Sequence, residues 1–83
     1  MPFEIIIDIL GWIGASLVIA AYFLVSNNRV SSSGSTYQML NLTGGILLII
    51  NTFYLKSYPS MAINIIWVVI AVAALIRMII NKG

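Results

Sequence analysis

Gln38, Asn41, Asn51 and Asn64 are carboxamides set inside runs otherwise oily enough for lipid. "YQMLNLTGGILLIINTFY" holds the first three and "AINIIW" the fourth. A carboxamide offers N–H donors and a carbonyl acceptor without any charge. Its chemistry is recognition: it hydrogen-bonds a neutral solute, or it ties one helix to another. Trp67, close after Asn64, adds an indole N–H and a flat apolar face. Acid–base, nucleophilic and metal chemistry lack their residues. The chain has no histidine and no cysteine, and its two acids, Glu4 and Asp8, lie close to one terminus. No Ser-His-Asp set, metal cluster or phosphate loop can be assembled from what remains. The expectation is a protein that is not an enzyme and needs no metal or cofactor. A net charge of +2, scattered along the chain, is too small a footprint for nucleic acid.

The elements that hold these groups follow from composition. The chain has 83 residues, of which 61% are hydrophobic and 7% charged. Soluble domains carry about 25% charged residues, so this single domain is expected to meet lipid. A helix crosses a hydrocarbon core of about 30 Å with about 20 apolar residues. Three stretches qualify by eye, about 5–25, about 37–55 and about 60–80. "SNNRVSSSGST" links the first two and is rich in turn formers. "KSYP" links the second and third, and Pro59 suits the first turn of a helix, where its missing N–H costs nothing. The first stretch opens on Glu4 and Asp8 rather than on a basic segment, so it reads as a span and not as a cleaved leader. Arg29, Arg77 and Lys82 share one side of such a three-span chain, against Lys56 on the other. Basic residues favour the cytoplasmic side, which predicts an N-terminus outside and a C-terminus in the cytoplasm.

Each residue of a helix advances about 100°. On the second stretch Gln38, Asn41, Gly45, Leu48 and Thr52 then share a strip, with Tyr37, Gly44 and Asn51 along its edge. The far side collects Met39, Leu42, Ile46, Ile49, Ile50 and Phe53. Thr43 strays onto it, and its hydroxyl is expected to bond back to the preceding turn. On the third stretch Asn64, Trp67, Ala71 and Ala74 align with Ser60 and Met78. The first presents Gly11, Gly14, Ala15, Val18 and Tyr22, while Trp12 near its end suits an interfacial anchor. Lipid cannot satisfy an amide, so these faces should turn toward protein, water or solute. Gly11, Gly14, Ala15, Gly44 and Gly45 are expected to be packing residues that let helix backbones approach closely.

The frame "GWIGASLVIAAYFLVS", then "YQMLNLTGG", then "YPSMAINIIW" resembles a family of small, uncharacterised bacterial membrane proteins. Its pattern is Tyr-Gln-x-x-Asn-x-x-Gly followed by Pro-Ser-x-x-x-Asn-x-x-Trp. More distantly, the chain resembles the semiSWEET transporters of the PQ-loop class. These are three-helix half-transporters that work as dimers, with the third helix packed between the other two. The resemblance implies a bacterial inner-membrane protein with Asn64 at a solute pocket. Two departures stand out: the second stretch has no tryptophan, and "YFLVSNNRV" has no Pro-Gln hinge.

The fold expected is all-α, a bundle of three transmembrane helices with semiSWEET-like half-transporter architecture, forming a homodimer in membrane lipid. Asn41, Asn51, Asn64 and Trp67 are the expected substrate-binding residues for a small neutral solute. The alternative is a structural or regulatory membrane protein whose polar faces bind a larger membrane partner.

Overall fold

In the computed structural model residues 3–82 are described. The chain forms α1 (Phe3–Ser26), α2 (Ser35–Tyr54) and α3 (Tyr58–Lys82). The orientation argument's Lys82 side chain falls outside the described residues. Both helix-ending turns use the same device. Asn28 and Lys56 take a left-handed backbone, each with φ of 58°. The amide of Arg29 then donates to the Leu24 carbonyl at 2.8 Å, and that of Ser57 to the Thr52 carbonyl at 2.9 Å. These are Schellman closures, which satisfy carbonyls that a helix end would leave open. Ser57 also starts α3, its carbonyl accepting from the Met61 amide at 2.9 Å. Tyr58 and Pro59 therefore lie inside the third helix, which begins ahead of the expected boundary.

The three helices run antiparallel in sequence, in a body of 45 × 24 × 22 Å. α2 stands in the middle, touching α1 on one side and α3 on the other. No residues of α1 and α3 approach within 8 Å between Cα atoms. The semiSWEET resemblance implies the third helix in that place, and the structure corrects it. The reason is the Gly44-Gly45 pair. A Cβ on Gly44 would sit 2.8 Å from the Gly14 carbonyl of α1, and one on Gly45 would sit 2.7 Å from Val68 Cγ2 of α3. Consecutive residues point about 100° apart. Two adjacent glycines thus open two faces of one helix, and each admits a different neighbour.

That angle sets the cross-section. With packed axes 8–10 Å apart and neighbours about 100° apart around α2, the axes of α1 and α3 stand about 14 Å apart. The helices α1 and α3 thus flank α2 without meeting, and leave a groove between them.

The packed face of α1 centres on Ile7, Gly14 and Ala21, which are buried. Tyr22, expected on that face, is exposed. On α3 the buried residues are Ala71 and Ala74, and Ser60 is exposed. The outer faces carry exposed Ile19, Phe23, Ile46, Phe53, Val69 and Ile79. Only α1 and α3 are long and apolar enough to cross a membrane, with mean hydropathies of 2.0 and 2.6 over their most apolar stretches. Of the three helices expected, all three form, and two of them pass that test among the described residues. α2 lacks any Asp, Glu, Lys or Arg, yet it carries Gln38, Asn41, Gly44, Gly45 and Thr52 as its buried residues. A helix covered on two sides needs less apolar surface of its own.

Candidate binding cleft

The carboxamides, expected to meet in one pocket, are divided between the two faces of α2. On the α1 side Asn51 Nδ2 donates to the carbonyl of Ile7 at 2.9 Å. That carbonyl lies one turn before Gly11. In a helix each Cβ tilts toward the preceding turn, so a side chain at position 11 would cover the acceptor. A Cβ there would stand 2.5 Å from Asn51 Nδ2. Glycine keeps the carbonyl open, and Asn51 ties α2 to α1. Beside this tie, Asp8, Gly11, Trp12, Ala15 and Asn51 line a shallow cleft of about 270 Å³. Ala15 thus borders open space on one flank of the α1 and α2 contact.

On the α3 side Gln38, Asn41, Gly45 and Thr52 are buried. Thr52 bonds within its own helix, its hydroxyl donating to the Leu48 carbonyl at 2.7 Å. The back-bonding expected of Thr43 belongs to Thr52, whereas Thr43 is exposed. Gln38 Nε2 donates to the Ser32 carbonyl at 3.0 Å and so fastens the α1–α2 loop to α2. Asn41 differs from these three. It is only 7% exposed, and its side chain has no hydrogen-bond partner among the described residues. No buried side-chain nitrogen or oxygen is left unsatisfied, so the Asn41 amide must open onto accessible space. That space is a cleft of about 190 Å³ lined by Tyr37, Gln38, Asn41, Trp67, Ile70 and Ala71.

Of the expected site residues, Asn41 and Trp67 meet in this cleft. Asn51 lies on the neighbouring, α1-facing side of α2. Asn64 is half-buried on α3, its backbone carbonyl 3.9 Å from where a Gly45 Cβ would stand, and it does not line the cleft that Asn41 shares with Trp67. Tyr37 and Gln38 were missing from the expected site although they occupy the same polar side of α2 one turn before Asn41. Their signal was present in the helical spacing. Gly14 and Gly44 face each other at the α1 and α2 crossing, where either Cβ would stand 2.8 Å from the other's carbonyl.

The cleft offers one free amide, a phenol and an indole, the latter half-exposed at 48%. It contains no ionisable acid or base other than the Tyr37 phenol, and no His, Cys, Asp or Glu cluster fit for a metal occurs among the described residues. Such a lining can hold an uncharged hydrogen-bonding molecule. About six waters would fill its volume.

A family model matches residues 7–82. No curated protein and no solved structure matches the chain. The chain belongs to the family so matched, a small uncharacterised bacterial one.

Proposed function

We propose that this family member is an integral membrane protein that holds a small neutral solute between α2 and α3, as one half of a homodimeric transporter. The observation that carries this is Asn41, buried yet without a protein partner and open to the Trp67 cleft. The Asn41 amide reaches accessible space, where water or a bound solute can make the hydrogen bonds that the protein leaves open. The exposed aliphatic and aromatic outer faces suit lipid, and α2, sheltered by its neighbours, crosses with them. The likeness to semiSWEET transporters is kept for the half-transporter principle, not for helix order.

The orientation places Arg29 and Arg77 in the cytoplasm, with Glu4, Asp8 and Lys56 outside. A cysteine at Ser57 then reacts with an impermeant thiol reagent in intact cells, while one at Ser33 is shielded. The reverse labelling would invert the chain.

The binding reading is tested with Trp67 as reporter, after Trp12→Phe removes the other tryptophan. Glycerol, urea and glucose are titrated against its fluorescence, and uptake of the same solutes is followed in proteoliposomes. Asn41→Ala removes a bond of about 0.5–1.5 kcal/mol, so binding should weaken several-fold with the melting temperature unchanged. No fluorescence response to any of the three, together with a lower melting temperature for Asn41→Ala, would overturn the reading. That outcome favours the alternative of a non-transporting protein that binds a larger membrane partner. Asn51 is the observation on that side, because its amide ties α2 to α1.

A further inference from the structure

Two clefts that meet at shared lining residues lie at the end of the molecule where α2 begins and α3 ends. One, about 360 Å³, is lined by polar groups that include Ser32, Ser33, Arg77 and Asn81. The other, about 560 Å³, shares Ser33, Met78 and Asn81 and continues over Leu75 and Ile79. The first is cationic and hydrogen-bonding, and the second is largely apolar. Ile79, at its outer edge, is 72% exposed.

Charge adds a second, independent observation. The chain's acids are Glu4 and Asp8, in the first turns of α1. That end meets the C-terminal end of α2, where Phe3 packs edge-on against Tyr54 at 5.1 Å. Arg77 lies at the other end, beside the loop that follows α1. Among the described residues no Asp or Glu lies at this end to neutralise it. Guanidinium matches a phosphate diester bidentately, and the serine hydroxyls and Asn81 amide can donate to the same oxygens. The first turn of α2, whose N-cap Gly34 supplies no side-chain cap, adds amide donors on the rim formed by Gly34 and Ser35.

We infer that this pair of clefts binds one anionic phospholipid, its phosphate against Arg77, Asn81 and the loop serines and its acyl chain along Leu75, Met78 and Ile79. The occupant follows from the pairing of the Arg77 guanidinium with an apolar surface that leads onto the outer face of α3. A soluble anion has no use for that surface, and a neutral lipid has no use for the guanidinium. The site is separate from the solute cleft, though Gln38 borders both. It rests on the reading of the chain as membrane-embedded.

The test is native mass spectrometry of the full chain released from nanodiscs of equal phosphatidylglycerol and phosphatidylcholine. The expected result is one retained phosphatidylglycerol, favoured several-fold over phosphatidylcholine. Arg77→Gln should abolish the preference and Arg77→Lys should keep part of it. Arg29→Gln, at the same end but outside the cleft, should leave it unchanged. Equal retention of both lipids, or a preference that survives Arg77→Gln or falls equally with Arg29→Gln, overturns the site. Displacement of phosphatidylglycerol by millimolar inorganic phosphate would also overturn it, in favour of a free anion. Alkaline carbonate extraction separates the two possible failures. A chain stripped from membranes by carbonate fails the membrane reading itself, whereas one that stays embedded without lipid preference fails the lipid site alone.

Discussion

Gly11 and Asn51 are far apart in sequence and act as one device. The glycine exposes the Ile7 carbonyl, and the carboxamide takes it at 2.9 Å. Interhelical bonds of this kind contribute about 0.6 kcal/mol on average in membranes. Replacing Asn51 by alanine should therefore lower stability by about that amount. Gly11→Ala should do the same from the other helix, because its Cβ would stand 2.5 Å from the donor. The informative measurement is the double variant in a thermal or SDS unfolding series. Once the bond is gone, the second change has little left to remove, so the combined loss should match the larger single loss. Simple addition of the two losses would mean that Gly11 packs against something other than the amide. The carboxamides were legible in the sequence as polar groups that avoid lipid. Their separate partners were not. Helical spacing tells which side of a helix a residue occupies, but not that Asn51 reaches α1 while Asn41, on the neighbouring side, is left free.

At the scale of the helix, α2 is the organising element. Its start, its end and its outward side of Met39, Ile46, Ile50 and Phe53, all exposed, follow from hydropathy and turn residues. Its central place was missed because its polar strip was taken as a single face. The information was in the chain, since adjacent glycines point about 100° apart and cannot both meet one straight neighbour. The two glycines should respond differently to a methyl group. At Gly44 the Cβ meets the Gly14 carbonyl at 2.8 Å, and backbone cannot turn aside, so α1 must shift. Overpacking of that sort costs about 1–3 kcal/mol. At Gly45 the nearest atom is Val68 Cγ2 at 2.7 Å, the end of a side chain that can change rotamer. Gly45→Ala should therefore cost clearly less than Gly44→Ala in the same unfolding series, with Ile46→Leu on the outer face as a neutral control. If Gly45→Ala proved the worse of the two, the α2 and α3 contact would be the tighter crossing.

For the whole molecule, the separation of α1 and α3 on either side of α2 offers the proposed homodimer a place to form. Helices α1 and α3 stand about 14 Å apart, too far to touch, while a further helix between them would contact both at ordinary packing distance. Along α1 the flank that carries Gly11 and Ala15 borders open space, and small residues are what membrane helices use for close approach. On the other flank Asn41 and Trp67 border the cleft proposed for a solute. A helix of a second copy seated in the groove would cover both flanks, and would turn a shallow cleft of about 190 Å³ into an enclosed one. Closed two-fold pairing is the commonest form of such assembly. Ala15 is the position that separates dimer contacts from monomer contacts, since its side chain lines a cleft rather than the crossing at Gly14 and Gly44. Ala15→Phe should fill the groove and shift the chain toward monomer in nanodiscs, as read by native mass spectrometry, while helix content and the melting of the monomer hold. The same variant should weaken any solute response of Trp67, although it lies on a different helix from every residue of that cleft. A chain that is monomeric without the substitution, or a dimer indifferent to it, would place the second copy elsewhere or remove it. A dimer lost with the Trp67 response intact would show that one chain binds its solute alone.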